Sequence, residues 1–131
     1  MKATLTYRVP YADTDQMGVV YYATYLVMFE RARNELMRQS GYTYKRFEEE
    51  GFMLPVVHAE LDYKRRARYD DILEIEAECG ALKGVRLEIN CTVRRDGEVL
   101  VRGFTRHAVV SAETRRPIPP PDELKKIWMQ S

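Results

Sequence analysis

The chain has 131 residues, 45% of them hydrophobic and 31% charged, and its formal net charge is +1. This length suits one domain, residues 1–131, with a substantial core, and the composition is that of a folded chain rather than a disordered one. The near-neutral charge argues against a general nucleic-acid binder, and with no leader-like segment or membrane-length apolar run a cytoplasmic protein is expected.

Residues 2–11 predict a first strand that ends near Pro10. An acidic turn follows, in which Asp13 and Asp15 stand one residue apart and Gly18 comes three residues after the second carboxylate. From the residues alone, Asp15 suits a cap of a turn or helix as well as a catalytic acid, and Asp13 is expected to face solvent.

Apolar side chains then recur at helical spacing from Tyr22 onwards, which predicts a long amphipathic helix over about residues 20–40 that stops at Gly41. The amino end of a helix has unpaired N–H groups with partial positive charge. The carboxylates of the acidic turn are therefore predicted to lie beside these N–H groups. A carboxylate close to an oxyanion donor is sufficient for acyl chemistry.

A second short helix is predicted over residues 42–51, after which the hydrophobic period changes to two. The alternating segments predict four consecutive strands in a meander, at about 56–68, 72–79, 85–93 and 99–111. Asp122 can cap a terminal helix that runs through Trp128. This order predicts an α+β fold in which an antiparallel five-stranded sheet wraps around the long central helix.

The cysteines and histidines give no sign of a metal site. Cys79 and Cys91 lack metal-ligand spacing and lie in alternating segments, so buried thiols are expected rather than a disulfide. His58 and His107 also lie in predicted strands, far apart in sequence, and a structural or half-exposed histidine is expected at each position.

Residues 11–25, YADTDQMGVVYYATY, resemble the signature of hotdog-fold acyl-CoA thioesterases in the 4-hydroxybenzoyl-CoA thioesterase-like family, which includes a bacterial acyl-CoA thioesterase branch. Residues 29–33, 67–73 and 114–117 are also similar to that family, and the resemblance covers nearly the whole chain. One position departs: many relatives in the bacterial branch carry histidine where this chain has Tyr22, whereas the aromatic-acyl branch lacks that histidine. The acyl group is therefore left open.

The resemblance implies hydrolysis of an acyl-CoA to a free acid and CoA, with no metal or other cofactor. It makes Asp15 the catalytic carboxylate, as nucleophile or general base, and assigns the backbone N–H of Tyr22 to the thioester carbonyl. Gly18 would let the turn approach the helix start. Tyr25, one turn after Tyr22, either lines the acyl pocket or packs in the core.

Family members are homodimers, often paired into homotetramers, with the active site between protomers. An open sheet around one helix also leaves edge strands that a symmetric partner would cover. Glu30 and Arg33 are expected to pair within the helix or across such an interface.

A CoA site needs cations for its phosphates, and the candidates are Arg65 and Arg66 on one strand with Lys83 and Arg86 at a neighbouring hairpin. The basic run at residues 64–68 does not predict a nucleic-acid site, because alternate side chains of a strand point to opposite faces.

Two other functions fit the same fold. A 3-hydroxyacyl-thioester dehydratase normally uses a histidine together with a carboxylate, and neither histidine is near Asp15 in sequence. A non-catalytic acyl-CoA-binding or protein-binding module is the second alternative, although binding alone needs no carboxylate facing the carbonyl.

Overall fold

The computed structural model describes residues 1–129. Its elements in chain order are β1 (Lys2–Arg8), a short 3-10 turn (Tyr11–Asp13), α1 (Thr24–Ser40), α2 (Tyr44–Glu49), β2 (Phe52–Met53), β3 (Val56–Tyr63), β4 (Ile72–Lys83), β5 (Arg86–Arg95), β6 (Glu98–Ala108), β7 (Val110–Ser111) and α3 (Asp122–Met129). No helix among the described residues is long and apolar enough to cross a membrane.

The main sheet is antiparallel and has five strands in the order β1-β4-β5-β6-β3, with α1 packed against β1, β4 and β5. The predicted α+β class and five-stranded sheet are therefore confirmed. The predicted four-strand meander is wrong, because β3 pairs with β6 and lies at the edge of the sheet. The burial pattern fits this order: β4 buries Leu73, Ile75, Ala77 and Cys79 on one face, whereas β3 has no buried residue.

The helix α1 buries one stripe of side chains in the core: Tyr25, Met28, Phe29, Ala32, Leu36 and Met37. It ends at Gly41, whose φ of 86° is the left-handed geometry that the sequence predicts. Its start at Thr24 comes later than predicted, because the Thr24 N–H donates to the carbonyl of Tyr21 in a turn, and Val20 forms a β-bridge with Thr14. The predicted start at about residue 20 therefore lies in a bridged segment.

Two predicted strands are also shorter than expected. The strand predicted over 56–68 ends at Tyr63, because the N–H groups of Lys64 and Arg65 both donate to the carbonyl of Leu100. The last strand breaks at Val109, after which β7 pairs with β2 in a separate two-stranded sheet.

His107 is fully buried and fills a structural role, as expected. Its Nδ1 lies 3.0 Å from the carbonyl oxygen of Leu54, which can only accept, so Nδ1 carries the proton. Its Nε2 then accepts from the hydroxyl of Thr105 at 2.8 Å. Burial lowers the pKa of His107 to about 4. Cys79 and Cys91 are buried thiols, and burial raises the pKa of Cys91 to about 12.

Protonation of His107 should destabilise the fold. Its pKa is about 4 when folded against an ordinary value of 6.5, so between these values the unfolded chain binds more protons and the free energy of unfolding falls as pH falls. This effect is worth at most about 3 kcal/mol. Urea unfolding at neutral pH and near pH 4.5 should show a smaller pH-dependent loss for His107→Gln than for the wild type. The exposed His58→Gln should keep the wild-type loss, and an unchanged loss in His107→Gln would contradict the assignment.

Candidate active site

The acidic turn folds around Asp15. The Asp15 N–H donates to the Val19 carbonyl and the Gly18 N–H donates to the Asp15 carbonyl, each at 3.0 Å. One carboxylate oxygen, Oδ1, accepts the Met17 N–H at 2.9 Å, while no hydrogen bond from the described residues reaches the other. Gly18 closes the turn with a φ of 75°, a conformation that favours glycine. Asp15 therefore caps its own turn through one carboxylate oxygen, and its other oxygen has no hydrogen-bond partner among the described residues.

Asp13 has a different role from the solvent-facing one predicted. It is partly buried, and its Oδ2 accepts a hydrogen bond of 2.5 Å from the hydroxyl of Tyr7 on β1. Burial and this bond raise the pKa of Tyr7 to about 12. The Asp13 carbonyl also accepts the N–H of Tyr21. Asp13 thus links the acidic turn to strand β1 of the main sheet.

The peptide between Tyr21 and Tyr22 lies in the turn before α1, two residues before the helix begins. Its carbonyl accepts the Thr24 N–H at 2.9 Å, which fixes its orientation, and its Tyr22 N–H has no hydrogen-bond partner among the described residues. The residue that precedes α1 is Ala23, and no side chain caps the helix there. An unpaired amide therefore stands beside an uncapped helix start.

These groups share one cavity of about 180 Å³. It is lined by Asp15, Met17, Val19, Val20, Tyr22, Tyr25, Tyr63, Arg65 and Arg66. Most of the wall is apolar or aromatic, with a single carboxylate and two guanidinium groups. The structure thus brings together Asp15, Tyr22, Tyr25 and both arginines, while Gly18 shapes the turn from outside the lining.

Tyr25 joins the two sides of the cavity. Its ring is buried, and its hydroxyl accepts the Ala67 N–H at 3.4 Å. The Ala67 carbonyl in turn accepts the Val20 N–H at 2.8 Å. Tyr25 therefore both packs in the core and faces the cavity, the two roles that the sequence left open.

Lys83 and Arg86 lie elsewhere in the chain. They line a separate depression of about 260 Å³ with Ala81, Glu88 and Arg106. They flank the β4–β5 hairpin. Arg65 and Arg66 follow β3 and lie beside the β5–β6 hairpin. The length of β5 separates the two hairpins by roughly 30 Å. Arg65 and Arg66 are not on a strand next to that hairpin, because β3 pairs with β6, and they follow the end of β3 that lies at the opposite end of the sheet.

Tyr63 is a site residue that the sequence analysis missed. It ends β3, its ring centroid is 5.7 Å from that of Tyr25, and its hydroxyl donates to the Tyr22 carbonyl at 3.0 Å. A tyrosine at the end of an alternating strand carries no sign of such a long-range bond.

Neither histidine lines the cavity. His107 is in the core, and on exposed β3 the His58 Nε2 lies 3.5 Å from the Glu60 Oε1. Within residues 1–129, no three His, Cys, Asp or Glu side chains are grouped so that they could hold a metal ion.

Comparison with known proteins gives a consistent family. The model of the Thioesterase-like superfamily matches residues 9–127. The acyl-CoA thioesterase YbgC of Haemophilus influenzae is 36% identical, over 90% of this chain and 88% of that protein. A 1,4-dihydroxy-2-naphthoyl-CoA hydrolase of Synechococcus elongatus is 31% identical, over 92% of this chain and 89% of that protein.

The crystal structure of the hypothetical protein TT1821 from Thermus thermophilus matches with a TM-score of 0.91 and 32% identity, over 99% of this chain and 97% of that one. The predicted hotdog fold is thereby confirmed.

Substitution of Gly18 tests the turn. An added Cβ would meet no atom within 4 Å, so the cost of Gly18→Ala is the left-handed backbone alone, about 1 kcal/mol. We expect the melting temperature to fall by ~4 °C, as measured by thermal unfolding. Gly18→Asn should lose less, because asparagine tolerates this conformation better than alanine. Equal stability of all three proteins would show that the turn is not constrained in this way.

Proposed function

The chain belongs to the thioesterase-like superfamily, and from this premise we propose that it hydrolyses an acyl-CoA to a free carboxylic acid and CoA. The observation that carries the proposal is the shared cavity of Asp15 and Tyr22, in which one carboxylate oxygen and one amide hydrogen have no partner among the described residues. Its expected location is the cytoplasm.

Asp15 supplies the acid–base or nucleophilic chemistry. Its uncommitted oxygen either attacks the thioester carbon, forming a mixed anhydride that water then hydrolyses, or takes a proton from a water that attacks directly. In both routes the C–S bond breaks and CoA leaves as a thiolate. A thiolate is a good leaving group, so the reaction does not need a strong general acid.

The Tyr22 N–H supplies the oxyanion donor. It is fixed by the turn at Tyr21 and stands beside the uncapped amino end of α1, where the helix dipole also favours negative charge. The tetrahedral oxygen that forms as the carbonyl is attacked would accept this hydrogen bond. The apolar wall, with Val20 and Tyr25, would hold the acyl group.

A homodimer would complete the site. The edge strand β3 has no partner on its outer side among the described residues, and its Val56 and Val57 are half exposed. Antiparallel pairing of two β3 strands would bring the Val56 end of one copy to the Tyr63 end of the other. Because Arg86 lies at the Val56 end of the sheet, one copy's Lys83 and Arg86 would then approach the other copy's Arg65 and Arg66.

These four cations would bind the phosphates of CoA while its thioester reaches Asp15. Pairing of two such dimers into a homotetramer follows from the family resemblance.

The α1 helix carries a separate candidate for a contact between copies, Arg33. The structure shows no ion pair between Glu30 and Arg33, so the intrahelical pair considered from the sequence is not formed. The Arg33 Nε is buried with no hydrogen-bond partner among the described residues, and burial lowers the pKa of the guanidinium. A carboxylate from a second copy would satisfy this group.

Asp15→Asn should reduce turnover about 10²- to 10⁴-fold, the range for loss of a general acid–base group. The amide keeps an Oδ1 that can accept the Met17 N–H, so the turn and the melting temperature should be preserved. Thiol release from short, long and aromatic acyl-CoA esters measures the effect and also identifies the preferred acyl group.

Asp13→Asn is the matched control for this experiment. Its amide oxygen can still accept from Tyr7, so the rate should stay within about fivefold of the wild type. A folded Asp15→Asn protein with the wild-type rate would remove Asp15 from the mechanism. A wild-type protein that binds acyl-CoA without releasing thiol would instead favour a binding module.

Val56→Glu should convert the homodimer to a monomer, because it places a charge in the proposed interface at the edge strand. Ile72→Glu is the control: both side chains are 50% exposed, but Ile72 lies on β4, away from that edge. Light scattering reports the mass of each protein. A monomeric wild type, or a dimeric Val56→Glu protein, would count against this interface.

A further inference from the structure

We propose that Tyr63 is a positioning residue for the oxyanion donor: its hydroxyl holds the Tyr22 carbonyl and so keeps the Tyr22 N–H directed at the thioester. This inference rests on the proposed function, in which that N–H is the donor. It assigns the tyrosine a role beyond lining the acyl cavity.

The supporting contact joins distant parts of the chain. The Tyr63 hydroxyl at the end of β3 donates to the Tyr22 carbonyl at 3.0 Å, across 41 residues of sequence. The Tyr63 ring meets the buried Tyr25 ring edge-on, with 64° between the ring planes, and this contact supports one side of the half-exposed Tyr63 ring.

Tyr22 has a peptide group on each side, and the two are held differently. The preceding peptide is fixed through its carbonyl, which accepts the Thr24 N–H. The following peptide lies outside the helix, since the Leu26 N–H donates to the carbonyl of Ala23 and not to that of Tyr22. Among the described residues, Tyr63 is the group that binds the Tyr22 carbonyl.

The consequence is geometric. If the Tyr63 hydroxyl is removed, the peptide after Tyr22 loses this bond, and the preceding peptide, which carries the donor N–H, is then held only by the Thr24 N–H at its carbonyl. An oxyanion donor works because it is already oriented when charge develops, so a loss of orientation reduces transition-state stabilisation more than ground-state binding.

Tyr63→Phe isolates the hydroxyl, because the phenylalanine ring keeps the wall of the cavity and the contact with Tyr25. We expect kcat to fall about fivefold, the equivalent of one neutral hydrogen bond, with KM within about twofold of the wild type. The control Tyr69→Phe removes the hydroxyl of a similarly exposed tyrosine that makes no hydrogen bond through it among the described contacts and does not line the cavity. It should leave both constants unchanged.

Two results would overturn the proposal: wild-type kinetics in Tyr63→Phe, or an increase in KM with kcat unchanged, which would mean that the hydroxyl only binds substrate. Melting temperatures check that the variant remains folded. Asp15→Asn measured beside it separates the two levels of inference. If Asp15→Asn is inactive and Tyr63→Phe is normal, only the positioning role fails. A fully active Asp15→Asn protein removes Asp15 from the mechanism, and a wild type that binds acyl-CoA without releasing thiol means that the proposed function itself fails.

Discussion

The candidate site depends on one backbone amide that the fold leaves without a partner. The Tyr22 N–H has no hydrogen-bond partner among the described residues, and Tyr22 is exposed, so this donor is available to an incoming oxygen atom. The peptide before Tyr22 is held by the Thr24 N–H and by the turn into α1, and Tyr22 is one of the residues that line the cavity. The turn therefore holds this donor in one orientation before a substrate binds.

The residues around this amide act mainly as supports. Tyr7 binds Asp13, whose carbonyl binds Tyr21, so the first strand of the sheet sets the position of the turn. Asp15 binds Met17 through one oxygen, and this fixes where the other oxygen points. Two aspartates one residue apart therefore differ in role, because Asp15 lines the cavity, whereas Asp13 does not and binds Tyr7 instead.

The sequence was informative where local chemistry decides the structure. Gly41 ended the helix as predicted, and the alternating strands and the carboxylate turn were recognisable from spacing. Sequence reasoning failed where pairing between residues far apart in sequence determines the structure. The start of α1 depends on the bridge from Val19 to Arg68, and the placement of β3 beside β6 cannot be derived from hairpin signals. The separation of Arg86 from Arg65 follows from strand direction, because β5 begins at Arg86 and ends beside the residues that follow β3. The Tyr63 bond joins residues that no local pattern relates.

Tyrosine in place of histidine at position 22 limits the proton chemistry of the cavity. Burial raises the pKa of Tyr25 and of Tyr63, and hydrogen bonding to Tyr22 raises that of Tyr21, so these phenols stay protonated at neutral pH. They can donate and orient but not accept a proton. Among the lining residues this leaves Asp15 as the proposed base or nucleophile. A lone carboxylate suits thioester hydrolysis, whose leaving group needs little acid assistance, better than the reversible proton transfers of a dehydratase.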